Sequence, residues 1–233
     1  MQAQFAAAQV IEFVKKPSLA ETMGKRVDFL TGYQDAAYAA QYAAVVERVK
    51  MAEAALGSGT RLTDAVARNL FKLMAYKDEY EVARLHTDPA FLARLADQFE
   101  DGFKLKYHLA PPLLAARNAK GELVKKTYGG WMKSVFGVLA KFKGLRGTAF
   151  DVFGYTEERR TERALIVEYR ALVDELLKSL AADRLDDAVA LARLPEEIRG
   201  YGHVKERNLE KVRAKREALL AAWRNGKAAA SAA

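Results

Sequence analysis

Along most of this chain, apolar residues recur at steps of three and four, the spacing that turns one face of a helix toward a core. Pro17-Ser18 supplies a stop followed by an N-cap, and the spacing then predicts one long helical stretch from Leu19 to Leu56, closed by the Gly57-Ser58-Gly59 turn. A short helix, Gln4 to Lys16, is expected before it. Thr60 or Thr63 restarts the pattern, and Val66, Leu70, Leu73, Met74 and Tyr80 share one face of the next helix. Thr87-Asp88-Pro89 closes that helix and opens another that ends near Gly102, the proline fitting a first turn. After Phe153-Gly154-Tyr155, Thr156 caps the most regular helix, with Leu165, Ile166, Tyr169, Leu172, Val173, Leu176, Leu177 and Leu180 in its stripe. A shorter helix, about Leu185 to Leu194, meets a break at Pro195-Glu196-Glu197. The Gly200-Tyr201-Gly202 kink leads into a last helix, His203 to Arg224, with Leu209, Val212, Leu219, Leu220 and Trp223 inward.

The centre breaks this rhythm. From Phe103 to Leu109 the sequence alternates with period two, which predicts a strand with one apolar and one basic face, and Leu123 to Tyr128 can pair with it across a turn at Gly121. Trp131 to Phe142 reads as a short helix with Trp131, Val135, Val138, Leu139 and Phe142 on one side. The expected fold is mainly α, a helical bundle with a small basic β-hairpin and loop insert. Residues 1–18 form an N-terminal extension, 19–224 a single helical domain with the insert at about 101–150, and 225–233 a small-residue tail expected to be disordered.

Charge sets the insert apart. Ten basic and two acidic residues fall between positions 101 and 150, while the rest of the chain holds 28 of each, so the whole net charge of +8 resides in one segment. Of the ten, Lys104, Lys106, Lys125, Lys126 and Arg146, together with His108, are candidates for docking an anion or binding phosphate. Interleaved with Tyr107, Tyr128, Trp131, Phe136 and Phe142, they suit an acidic protein or a phosphorylated cofactor first, a soluble but inert surface second, and nucleic acid last.

Composition removes several chemistries. With 233 residues of which 51% are hydrophobic, the chain can bury a real core. It has no cysteine, which excludes disulfides, thiolate catalysis and cluster or zinc sites built on thiolates within it. No window is apolar enough for a membrane span, and the start carries no basic region ahead of its alanines, so a soluble, cytoplasmic protein is expected. No nucleotide, hydrolase or metalloprotease signature occurs, and no catalytic or metal-ligating residue is assigned.

Two polar clusters remain. Lys77, Asp78, Glu81 and Arg84 crowd a helix near His86, and read either as an acid–base or metal pair or, in preference, as a salt-bridge network against a neighbouring helix. His203 opens the last helix with Lys205 and Arg207, an arrangement suited to an anion, though a capping histidine on a mixed-charge helix is preferred.

Several long segments carry a family resemblance. Arg61 to Leu85, Lys104 to Pro112 (KLKYHLAPP), Leu145 to Asp151 with Phe153 to Thr156, Glu158-Arg159-Arg160, and Leu194 to Leu209 (LPEEIRGYGHVKERNL) look like the C-terminal helix-rich domain of indolepyruvate ferredoxin oxidoreductases. Arg26 to Tyr42, with FLTGYQDAAYAAQY, also fits, so the similarity spans roughly Leu19 to Arg224 in the family's order. The resemblance implies an assembly that oxidatively decarboxylates aryl-2-oxo acids to acyl-CoA, with thiamine diphosphate, Mg, iron–sulfur clusters and coenzyme A on its other domains or subunits and ferredoxin as electron acceptor. It implies an accessory role here, in subunit packing or docking. A free-standing nucleic-acid-binding module is the alternative.

Overall fold

The computed structural model describes residues 17–99, 103–110, 124–200 and 202–231, with side chains to 226. The expected helix at Gln4 to Lys16, the Pro111-Pro112 pair and the Gly121 turn lie outside the described residues. Helices α1 (Leu19–Tyr33), α2 (Ala36–Ala54), α3 (Arg61–Met74), α4 (Glu79–Thr87) and α5 (Pro89–Gln98) precede a two-stranded antiparallel sheet, β1 (Tyr107–Leu109) and β2 (Lys126–Tyr128). Then come α6 (Met132–Lys141), α7 (Glu157–Leu177), α8 (Leu185–Arg193) and α9 (His203–Ser231). The mainly α expectation holds.

Local chemistry places the boundaries. Ser18 and Glu21 close a reciprocal capping box at the start of α1. The stretch expected as one helix from Leu19 to Leu56 is instead a helical hairpin. The Asp35 carboxylate accepts from the Tyr38 amide at 2.7 Å and starts α2 afresh, which lets α1 fold back on α2. Tyr80 likewise does not continue the face of α3, which ends at Met74. Asp78 caps a new helix, α4, by accepting from the Glu81 amide at 2.8 Å. The Thr156 cap on α7 forms as expected, accepting from the Arg159 amide at 3.3 Å. Beyond Arg224, α9 continues to Ser231 through an alanine-rich run, alanine being the best helix former.

Helix α3 lies at the centre of the main core, packed against α1, α2, α7 and α8. Its buried side chains, Leu62, Ala65, Val66, Ala67, Leu70, Leu73 and Met74, cover more than half of its circumference, and Arg61, Asp64, Arg68 and Lys72 form the exposed stripe. Its N-terminus is satisfied from a distance: the fully buried Glu53 carboxylate accepts from the Leu62 and Thr63 amides at 2.8 Å and from the Thr63 hydroxyl at 2.6 Å. The hydroxyls of Tyr33, Tyr38 and Tyr42 donate to the carbonyls of Tyr76, Met74 and Ala67, tying α1 and α2 to α3 and the turn that follows it. A second, smaller core holds Ala83, Tyr107, Met132 and Phe136 and joins α4, the hairpin and α6.

Candidate functional site

The hairpin register pairs Tyr107 with Tyr128, His108 with Thr127 and Leu109 with Lys126. Alternation along β1 therefore sends Tyr107 into the small core and His108 outward, where its Nδ1 lies 3.0 Å from the Thr127 hydroxyl. The Tyr107 ring meets Phe136 and His86 edge-on, and His86 stacks on Phe136 at 5.2 Å. Burial lowers the His86 pKa below its ordinary value.

Helix α6 is apolar on two sides. Met132 and Phe136 are buried, with Leu139 and Ala140 packed beside them. The opposite stripe, Trp131, Val135, Val138 and Phe142, stands in solvent at 61%, 43%, 58% and 50% exposure. The side of the helix singled out by the sequence pattern, Leu139 excepted, is thus its outer side. An exposed apolar stripe on a helix whose other apolar side is already buried is a surface suited to a second neighbour.

At the start of α6 the chain forms a cleft of about 510 Å3 lined by Lys104, Lys106 and Lys133 with Phe103, Leu105, Tyr107, Gly129 and Gly130. Among the described residues no carboxylate lines the cleft. Three ammonium groups beside the opening turn of a helix make an environment in which an anion gains from every side. Lys133 was not singled out by sequence reasoning, since only the tertiary turn at Gly129-Gly130 brings it to Lys104 and Lys106. Lys125 and Lys126 are exposed on or beside β2 but do not line the cleft.

Arg146 is not available to an anionic ligand, contrary to expectation. It is 5% exposed, its Nε and Nη2 donate to the two Asp78 oxygens, the latter at 2.9 Å, and its Nη1 donates to the Tyr33 carbonyl at 2.7 Å. The guanidinium also lies 3.7 Å from the Tyr33 ring centroid. Burial is the largest single influence and works against its charge, but the hydrogen bonds to Asp78, the Asp78 charge and the neighbouring Tyr33 and Tyr76 together hold its pKa above the ordinary arginine value. Burial and the neighbouring Asp78 charge push the Tyr33 hydroxyl up in turn.

The Lys77–Arg84 cluster is the expected salt-bridge network, with one amendment. Glu81 binds Arg84 bidentately at 2.8 Å within α4, and Arg84 lies over the Phe29 ring of α1. Asp78, however, is paired from 68 positions away, and it sits ahead of the helix, not on it. Lys77 is exposed. Glu79, a member of the same cluster, reaches Arg159 of α7 at 3.4 Å. His203 and Arg207 are exposed at the start of α9, while Lys205 pairs with Glu162 of α7.

The Leu145–Thr156 segment holds a second carboxylate in place. Asp151 accepts from the Gly147 amide at 2.8 Å, the Gly154 amide at 3.0 Å and the Tyr80 hydroxyl at 3.2 Å. Gly147 adopts φ +76, and a Cβ at Gly154 would stand 2.4 Å from the Asp151 carboxylate, so both glycines answer to geometry.

Among the described residues no group of His, Asp and Glu is arranged to hold a metal ion, and no helix is long and apolar enough to cross a membrane. No curated protein and no solved structure matches the chain. One family does match, over residues 19–218, which cover the described helices from α1 into α9. The chain belongs to that family, the family of unknown function DUF6537.

Proposed function

We propose that this chain is an accessory docking domain of a 2-oxoacid:ferredoxin oxidoreductase of the indolepyruvate kind, working in the cytoplasm. The observation that carries the reading is that the unit made by α6 and the hairpin bears both an exposed apolar stripe and a cleft lined by three lysines. Exposed apolar surface and an excess of one sign of charge are the features with which a protein receives a partner of the opposite sign. The partner that the family resemblance suggests is acidic ferredoxin, with the phosphates of coenzyme A as the other ligand of matching charge. Thiamine diphosphate, Mg and iron–sulfur clusters belong, on this reading, to the other domains or subunits, which carry the oxidative decarboxylation. This chain contributes packing and approach.

The test uses the assembled enzyme with Lys104, Lys106 and Lys133 reversed to Glu. The KM for ferredoxin, for coenzyme A, or for both should rise by about tenfold or more at low salt, with the difference from wild type shrinking as ionic strength grows. Unchanged steady-state kinetics toward both would remove the docking role. Salt-dependent binding of unrelated oligonucleotides by the isolated chain would put the nucleic-acid reading in its place.

A further inference from the structure

A second cleft, also about 510 Å3, lies on the main bundle where α3, α7, the turn after α8 and the first turn of α9 meet. Its floor is apolar: Leu73, Tyr76, Leu165 and Ile198 are all buried. Its walls carry Lys72, Lys77, Arg159, Arg199 and Lys205 against Glu158 and Glu162. Lys205 pairs with Glu162, and Arg159 reaches Glu158 at 4.0 Å and Glu79 at 3.4 Å. These pairs use the two wall carboxylates and leave Lys72, Lys77 and Arg199 without a carboxylate on the wall, Glu196 beside Lys72 being the further opposing charge.

Lys72 and Arg199 spend only part of their donors on the protein. The Lys72 ammonium, which has three hydrogens, donates to the carbonyls of Pro195 at 2.6 Å and Ile198 at 3.0 Å. Arg199 donates from Nε to the Glu196 carbonyl at 2.9 Å, a bond that leaves its terminal nitrogens for another acceptor. The three cations come from α3, the turn behind it and the turn after α8, so tertiary folding gathers like charges that the sequence keeps more than 120 positions apart. That gathering has a cost. Burial, then the Arg199 and Lys205 charges, lower the Lys72 pKa from its ordinary value despite the opposing pull of Glu196 and Glu162. Gly200, at φ +94, makes the turn that brings Arg199 and the start of α9 to the same wall.

We infer that this cleft binds a small phosphorylated molecule, its phosphate held by Lys72, Lys77 and Arg199 and its apolar body on Leu73, Tyr76, Leu165 and Ile198. A phosphate fits better than a carboxylate because its second charge gains from walls that remain net positive, and a guanidinium meets phosphate oxygens with two parallel bonds. The volume lies within the range of small-ligand sites. This site shares no lining residue with the α6 cleft and stands or falls apart from the docking proposal.

Calorimetric titration of the full chain with phenyl phosphate, inorganic phosphate and benzoate at fixed ionic strength tests it. Saturable binding is expected with phenyl phosphate tightest and benzoate weaker by about tenfold or more. Arg199→Ala and Lys77→Ala, both at exposed positions, should each weaken phenyl phosphate by roughly fivefold to tenfold with melting temperatures close to wild type, and Lys50→Glu on α2, exposed and lining neither cleft, should leave it unchanged. Failure of all three probes to saturate, benzoate binding as tightly as phenyl phosphate, or an equal loss in Lys50→Glu would each overturn the inference.

Discussion

Arg146 is the single side chain on which the meeting of α1, α4 and the Leu145–Thr156 segment most depends. Removing one partner of a buried ion pair strands the other charge, so Arg146→Ala or Asp78→Ala should cost about 3–5 kcal/mol in urea unfolding. Arg146→Lys should recover little, because a single ammonium cannot bridge both Asp78 oxygens and the Tyr33 carbonyl while stacking on the Tyr33 ring. Tyr107 gives the opposite case. Its buried hydroxyl has no hydrogen-bond partner among the described residues, so Tyr107→Phe should leave stability level or raise it by about 1 kcal/mol, read as an increase in Tm. Burial and exposure of these residues are opposite to what their types suggest: an arginine inside, and a tryptophan, Trp131, outside.

At the scale of elements, α6 and its packing against α4 set the expectations. His86 of α4 is held neutral between Phe136 and Tyr107, with its pKa below the ordinary histidine value. In the unfolded chain it regains its ordinary pKa and binds more protons as pH falls below about 6.5, so acid favours the unfolded state. The urea midpoint should therefore drop between pH 7.5 and pH 5.5, and His86→Gln should flatten that part of the dependence; an equal slope in the variant would show that the titration lies elsewhere. The outer stripe of α6 behaves differently. Exposed positions rarely change stability by more than about 0.5 kcal/mol, so Trp131→Ser with Val138→Ser should leave Tm almost unmoved while weakening ferredoxin binding by the assembled enzyme. A large fall in Tm would mean that the stripe supports the fold itself.

The molecule as a whole has two apolar cores of unequal size. The small one, under α4, the hairpin and α6, is joined to the bundle by polar links: Arg146 to the Tyr33 carbonyl, Lys143 to the carbonyls of Thr31 and Gly32, and Arg84 over Phe29. A unit with few buried apolar residues opens at lower free energy than its larger neighbour. Amide hydrogen exchange should therefore show α6 exchanging ahead of α3, and Arg146→Ala should widen the gap by weakening the link. Simultaneous exchange of both helices would show one cooperative unit instead. Each candidate cleft lies on a different core, which is why a ligand on one has no built-in contact with the other.

The sequence by itself determined what depends on neighbours a few residues away. Helical spacing marked α7, α8 and the inward face of α9; Ser18, Pro89 and Thr156 marked starts; the period-two run placed β1; and the charge count located the basic segment. Tertiary structure decided everything set by a partner far along the chain. Asp35 and Asp78 broke helices that periodicity ran together, because a capping carboxylate wins where the fold must reverse. Arg146 went inside because Asp78, 68 positions away, was there to neutralise it. Lys133 joined Lys104 and Lys106, and Lys72 joined Arg199, only through turns whose geometry no local pattern encodes. Hydrophobic period reports which face of an element is apolar; whether that face meets a core, a partner or water is settled by what folds against it.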